Sequence, residues 1–479
     1  MKILFIDPEG YQLGLNTGIG YLAAVLMKRG YDVRVLDFNN NTKNKEERFM
    51  KNIIDSDVVC LSVKSFTIPG ASHWARRAKK ENPAILAICG GAHVTIEGVK
   101  FLKEHPEFDI GVYNEGEEVI SEIISNYEKK DWGAIKGIVY NEKGKIHDNG
   151  RRERIKDLDS IPFPNYEVFD FEGKEKNKFP MDFYPIITSR GCPFNCVFCS
   201  VPYVMGDKKW YGRSPDNIVD ELEQVKRKYD IKEFHIYDDN FTVNKERAKE
   251  FCRLLIKRKL NLKWACPNGI KANCLDMELV QLMKDSGCEL IMIGVESGVP
   301  EVFKRIGKGG TLQDIEEAIR MIRKVGDIKI GGFFLVGLPG STYKLDLKSL
   351  NYSKRLKLDM VFWSFLAPYP GTKFFEMVQN DPEYRWIRDW RDGRDLGTNP
   401  KIIFDTKNYS AKERIRMYHI ANLKCKCYGA FINQNSSNLR KFYDILSVIL
   451  KYDALYTPYH LFWAGMLFLN GLKRGTVKA

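Results

Sequence analysis

Three cysteines fall within eight residues, in Cys192-Pro193-Phe194-Asn195-Cys196-Val197-Phe198-Cys199. Three thiolates this close can wrap one compact metal site. Iron–sulfur clusters commonly take four cysteine ligands, so three would leave one iron with an open position. An open position is what catalysis requires, by the logic that separates catalytic from structural zinc. Zinc held by three cysteines and a distant ligand is the rival reading. Zinc sites favour paired C-x-x-C knuckles, and this triplet has no second pair nearby.

Acids and glycines recur after the triplet. His235-Ile236-Tyr237-Asp238-Asp239-Asn240-Phe241 carries two adjacent carboxylates, and Ile293-Gly294-Val295-Glu296-Ser297-Gly298 carries one. Gly331-Gly332-Phe333-Phe334-Leu335-Val336-Gly337-Leu338-Pro339-Gly340 has no Cβ at four positions where a backbone could approach a ligand. Singly, each is also what a helix cap or a turn looks like. Ahead of the triplet, candidate loops hold Gly18 and Gly20, then Gly90, Gly91, His93 and Thr95, then Glu115, Gly116 and Glu117.

These residues must be carried by strands. Short apolar runs at 3–6, 32–36, 58–62 and 85–88 alternate with helical periodicity at 20–28, 46–54 and 71–80, the signature of a doubly wound parallel sheet. Such sheets bind ligands at the carboxyl ends of their strands. Periodicity is lost over about 150–182, where Ile161-Pro162-Phe163-Pro164 marks a linker. Six strand–helix units follow, with strands at 185–189, 233–237, 263–266, 290–294, 328–336 and 360–366. Their helices are expected at 215–229, 245–257, 277–286, 312–325 and 345–356. Six units are two short of a closed eightfold barrel, so a partial (β/α)6 barrel is expected. The expected domains are 1–149, doubly wound; 150–182, linker; 183–372, partial barrel; and 373–479, mostly helical.

C-x-x-x-C-x-x-C at the end of a first barrel strand resembles the radical SAM superfamily. The resemblance covers about Tyr184 to Thr372. It implies a 4Fe-4S cluster on Cys192, Cys196 and Cys199 whose open iron chelates S-adenosylmethionine. One-electron reduction, from an external donor, then yields a 5′-deoxyadenosyl radical. It further implies that Phe198 packs near the adenine, that Asp238 and Asp239 face the methionine amino group, and that Glu296 approaches the sugar or methionyl end. The backbone around Gly337 would run beside the adenine.

The amino-terminal third resembles the cobalamin-binding domain that precedes the barrel in one large radical SAM subfamily, on Gly18-Ile19-Gly20-Tyr21, Gly90-Gly91-Ala92-His93-Val94-Thr95, Glu115-Gly116-Glu117-Glu118 and the Pro-Phe-Pro linker. That implies cobalamin contacts at Gly18, Gly20, Gly90, Gly91, His93, Thr95, Glu115, Gly116 and Glu117. None of the seven histidines has an aspartate two residues before it, so the D-x-H-x-x-G axial histidine is missing. His93 reads more simply as a loop histidine bonded to backbone or solvent. Methylation of an unactivated carbon, or of phosphorus, in a small-molecule or lipid-type substrate is the first expectation. Ring formation or rearrangement without methyl transfer is the second, and a noncatalytic redox protein the third.

The formal charge of +13 would permit anionic partners, but the basic residues are interleaved with acids and no nucleic-acid partner is expected. No run reaches the roughly 18 apolar residues of a membrane span, and the start is too short for a signal peptide, so a cytoplasmic location is expected. Cys60, Cys89, Cys266 and Cys288 read as buried small apolar residues, Cys252 and Cys274 have no partners at metal spacing, and Cys425-Lys426-Cys427 reads as structural or incidental. The aromatic stretch 443–472 either packs on the barrel or makes peripheral membrane contact.

Overall fold

The computed structural model describes residues 1–10, 14–171, 178–390, 401–427 and 438–454, with 457, 460 and 461. Half of the stretch 443–472, for which barrel packing or membrane contact is the expectation, lies outside them. The chain divides into two compact units. One comprises Met1–Pro193, Ser200–Ala265 and Asp285–Gly287; the other comprises Phe194–Cys199, Cys266–Lys284 and Cys288–Ala479.

In the first unit, strands β1 (Lys2–Asp7), β2 (Asp32–Asp37), β3 (Val58–Ser62), β4 (Leu86–Gly90) and β5 (Ile110–Val112) pair in parallel in the order β2-β1-β3-β4-β5. Their near-continuous Val, Ile and Leu suit strands covered on both faces. Trp74 packs on Phe38 and Phe49 at centroid distances of 4.6 and 4.9 Å, at the centre of a wholly buried cluster on one face. The strand order reverses between β1 and β3, which puts the binding crevice of an open sheet at their carboxyl ends.

The sheet is not wholly parallel, as the sequence led us to expect. β6 (Ile138–Glu142) and β7 (Lys145–Asp148) extend it antiparallel. Lys143 and Gly144, at φ of 50° and 88°, make the two-residue turn that a right-twisted hairpin favours.

The same unit holds β8 (Tyr184–Ile186), the small antiparallel pair β9 (Ser189–Arg190) and β10 (Tyr211–Gly212), then β11 (Glu233–Ile236). β11 lies parallel between β8 and the start of β12 (Lys263–Ile270). In the second unit β12 continues beside β13 (Cys288–Glu296), followed by the parallel strands β14 (Lys329–Val336) and β15 (Met360–Phe365). Six strands alternate with helices, as the spacing requires. Helices Pro215–Tyr229, Lys245–Lys257 and Leu312–Val325 start where Ser214, Asn244 and Thr311 accept hydrogen bonds from the first-turn N–H groups.

Residues 373–479, expected to be mostly helical, also contain strands. β16 (Tyr384–Trp386) and β17 (Phe404–Thr406) pair antiparallel before helix Ala411–Lys424. Cys425 caps that helix, and its thiol meets Ser353 Oγ at 3.8 Å. Among the described residues, no helix is long and apolar enough to cross a membrane.

Candidate functional site

At the carboxyl ends of β1, β3, β4 and β5 the first unit encloses a cavity of about 390 Å³, within the range of small-molecule and cofactor sites. Three helices begin at its wall, at Asn16, Gly91 and Gly116. Gly18, Gly90, Gly91, Glu115, Gly116 and Glu117 line it, with Cys60, Ser62 and Lys64. A Cβ on Gly18 would meet only Asn16 Oδ1, at 3.4 Å, so the wall there is bare backbone. Gly91, at φ 117° and ψ −176°, sits where its Cβ would lie 2.7 Å from the Val63 carbonyl oxygen. A flat, rigid ring edge fits against such a backbone wall, which is the geometry a corrin needs.

Three of the residues expected at this wall face elsewhere. A Cβ on Gly20 would strike the Tyr166 ring at 2.8 Å, so Gly20 serves helix packing. His93 is no loop residue: it lies in the first turn of helix Ala92–Glu104, 5% exposed, with Nδ1 3.2 Å from Ser65 Oγ and its ring edge-on to Phe101. Thr95 Oγ1 accepts from the Asn114 N–H at 2.9 Å, which fixes the loop after β5. Sequence alone cannot say which face of a helical turn meets a cavity.

The loop ahead of the first cysteine is anchored from below. Asp238, wholly buried, accepts from the Thr188 N–H at 2.6 Å and from the Thr188 and Ser189 hydroxyls, each at 2.5 Å. Both oxygens are thus spent on the chain, and Asp238 shapes this loop where the sequence suggested a ligand contact. Asp239 accepts from the Gly191 N–H at 2.9 Å, and burial pushes its carboxyl up to about 6. Gly191, at φ 88°, has no room for a Cβ beside the Lys209 carbonyl.

In the second unit, Phe194–Cys199 is held by backbone bonds from the Val197 N–H to the Ile306 carbonyl and from the Phe374 N–H to the Val197 carbonyl, both 2.9 Å. Cys196, Phe198 and Cys199 are half-buried, as is Cys192 in the first unit. None of the three thiols is in a disulfide. Burial pushes the Cys196 thiol up, opposed by the charges of Lys308 and Lys271. Among the described residues, no three Cys, His, Asp or Glu side chains converge on a point fit for a single ion. In a four-iron cluster each cysteine binds its own iron, so a cluster does not require the three thiols to converge on one point.

Glu296 ends β13 at φ 64°, after a register irregularity between Gly294 and Glu296. A side chain other than glycine is uncommon in that region. Lys308 Nζ bridges Glu296 Oε1 and the Gly294 carbonyl, both at 2.6 Å, with about a tenth of each side chain exposed. Lys271 lies over the Phe194 ring at 3.2 Å. Gly337, at φ 84°, donates its N–H to Asp346, and a Cβ there would lie 3.2 Å from the Arg414 guanidinium. Lys308, Lys271, Arg190 and Arg414 were not read from the sequence. Lys308 could have been, from its place in Gly307-Lys308-Gly309-Gly310, and Arg190 from its place before Gly191-Cys192. Arg414 leaves no local signal.

The radical SAM superfamily model matches residues 186–347, and the B12 binding domain model residues 9–124. A Pyrococcus horikoshii protein described as an uncharacterized methyltransferase is 31% identical over 387 residues, covering 78% of this chain and 83% of that one. The anaerobic magnesium-protoporphyrin IX monomethyl ester cyclase of Rubrivivax gelatinosus is 28% identical over 399 residues, covering 80% and 71%. The solved structure of TsrM from Kitasatospora setae, a radical S-adenosylmethionine methyltransferase with cobalamin and a 4Fe-4S cluster bound, superposes with a TM-score of 0.71. It covers 91% of this chain and 93% of that chain at 16% identity, a likeness of fold.

Proposed function

This chain belongs to the radical SAM enzymes that carry a B12-binding domain, and from that premise we propose that it methylates an unactivated carbon, or phosphorus, of a small-molecule or lipid-type substrate. Its cofactors are a 4Fe-4S cluster, S-adenosylmethionine and cobalamin. When bound, these supply a carbon-centred radical and a transferable methyl group.

The chain's own residues divide the work. Cys192, Cys196 and Cys199 hold the cluster, and the Asp238 and Asp239 anchors set the loop that carries the first of them. Glu296 and Lys308, a buried pair of opposite charges, suit the zwitterionic methionyl end of S-adenosylmethionine. The backbone at Gly337 and the ring of Phe198 flank the adenine. Gly18, Gly90, Gly91 and Gly116 form the wall for the corrin, with Glu115 and Glu117 at its rim.

The observation that supports the cobalamin part of this reading is the glycine-walled cavity at the strand ends of the first sheet, and the 31% identity to a protein described as an uncharacterized methyltransferase supports methyl transfer. The reading is tested anaerobically, with reconstituted cluster, cobalamin, a reductant and fractionated extract, by quantifying S-adenosylhomocysteine against 5′-deoxyadenosine. Substrate-dependent formation of both in comparable amounts supports methyl transfer to carbon. Deoxyadenosine without the homocysteine product would favour ring formation or rearrangement, the second reading, which the similarity to a tetrapyrrole cyclase keeps in view.

A further inference from the structure

The two carboxylates at the cavity rim are turned to one arginine. Arg190 Nη1 lies 3.0 Å from Glu115 Oε1 and Nη2 lies 2.6 Å from Glu117 Oε1. The arginine side chain is 13% exposed and each glutamate 8%. The guanidinium stands 5.3 Å above the Tyr21 ring, and all four residues line the cavity. Burial would weaken the charge on Arg190, and Glu117 and Glu115 more than restore it. The second oxygen of Glu115 accepts from the Ile155 N–H at 2.8 Å, so the rim is tied to the linker as well.

The backbone beyond Arg190 has no slack. Arg190 pairs with Tyr211 in the β9–β10 ribbon, and its carbonyl accepts from Arg154 at 3.3 Å. Gly191 is wedged at φ 88° between the Lys209 carbonyl and the Arg154 guanidinium, with its N–H held by Asp239. Cys192 is the next residue. Two residues of chain reach about 7 Å, so a shift of the Arg190 side chain and its strand is passed to the cysteine and not absorbed by a loop.

We propose that Arg190 is a positioning residue that couples the filling of the cavity to the placement of Cys192, and thereby to how firmly the cluster is held. The inference rests on the reading that the cavity takes cobalamin and the triplet the cluster. A ligand in the cavity expels water from the Glu115–Arg190–Glu117 group, and ion pairs strengthen when the local dielectric falls. The stiffened group then fixes the two residues that lead into the cysteine.

The full chain, reconstituted with iron and sulfide, is challenged with an iron chelator with and without hydroxocobalamin. Iron loss and the electron paramagnetic resonance signal of the reduced cluster are followed. For the unmodified chain, iron loss should slow about fivefold on adding hydroxocobalamin, with a shifted resonance. In Arg190→Met the corrin should still bind, while the chelation rate becomes the same with and without it. Arg190→Lys should recover part of the dependence, a rescue that a merely structural role would not give. Glu117→Gln, which leaves Arg190 paired with Glu115, should reduce the dependence and serves if Arg190→Met does not fold. A chelation rate in the unmodified chain that ignores bound hydroxocobalamin, or full dependence retained in Arg190→Met, overturns the proposal. An unmodified chain that does not bind hydroxocobalamin overturns the cobalamin reading itself, and this inference with it.

Discussion

Gly91→Ala should damage the first unit more than its single added methyl suggests. At φ 117° and ψ −176° the residue occupies a region that is essentially reserved for glycine, and an L side chain there costs about 1–3 kcal/mol. The new Cβ would also lie 2.7 Å from the Val63 carbonyl oxygen and 3.2 Å from its nitrogen, both backbone atoms. Relief requires moving β3's exit against β4, where the Val63 N–H bonds the Gly90 carbonyl at 2.7 Å and the His93 N–H bonds the Val63 carbonyl at 3.3 Å. Weakening one such bond costs about 1 kcal/mol, so the total is about 3 kcal/mol. For a unit of this size, that lowers the thermal midpoint by roughly 6–12 °C. Gly30→Ala is the matched control. Its φ is 86° but nothing lies within 4 Å of the added Cβ, so only strain of about 1 kcal/mol applies. Melting followed by circular dichroism, with cobalamin retention measured by absorbance, separates the two. Equal midpoints for both variants would refute the reasoning.

Alanine at Cys192, Cys196 or Cys199 should abolish iron binding and S-adenosylmethionine cleavage with less than about 1 kcal/mol lost in stability, since all three are half-buried; iron content near the unmodified level in any variant would remove that cysteine from the site. Glu296→Gln should weaken S-adenosylmethionine binding about tenfold, or about 1.4 kcal/mol, by leaving Lys308 without its carboxylate; equilibrium dialysis showing unchanged affinity would count against the assignment. Burial pushes the Asp346 carboxyl from 3.8 up to about 6, against hydrogen bonds from Ser341, Tyr409 and the Gly337 N–H. Because the folded state holds this proton more tightly than the unfolded chain, its stabilisation is complete below about pH 4 and is lost as pH rises through 6. Asp346→Asn should therefore flatten the stability profile between pH 4 and 7 by roughly 2–3 kcal/mol, measured from urea midpoints, whereas parallel profiles would contradict the shift.

Much of the scaffold was legible because its signals are local. Pro215 behind Ser214 starts one helix, and Thr311 with Asp314 forms a reciprocal cap on another. The parallel strands announce themselves as short apolar runs between such helices. The β6–β7 and β16–β17 pairs were missed because strands of only three to five residues are too short for a hydrophobic pattern to stand out. The triplet of cysteines was legible from spacing alone. Gly20, His93 and Thr95 were expected at the corrin because the resemblance rests on whole segments, yet on a helix the next residue points about 100° away, and these three do not line the cavity. Asp238 was read as a ligand contact because nothing in its own segment reveals that Thr188 and Ser189, about fifty residues earlier, consume both oxygens. Arg190's partners are likewise some seventy residues away in sequence, whereas Lys308, twelve residues from Glu296, went unread despite its glycine-rich segment.

The cavity and the loop that leads to Cys192 belong to one compact unit, built from the amino-terminal sheet together with the first strands that follow the linker. The residues that tie them, Arg154 and Arg190, are buried cations whose partners are carboxylates and carbonyls on several loops. Buried charges persist only when so paired, because the uncompensated group costs several kcal/mol.

Methyl transfer itself is tested most directly by following the label. The reconstituted chain, loaded with cobalamin and supplied with S-adenosylmethionine bearing a trideuterated methyl group, is incubated anaerobically with fractionated extract and analysed by mass spectrometry. The account predicts a product heavier than its precursor by one trideuterated methyl in place of hydrogen, formed only when both cobalamin and intact cluster are present. A product that forms at the same rate without cobalamin, or one changed in hydrogen content with no label gained, would contradict it.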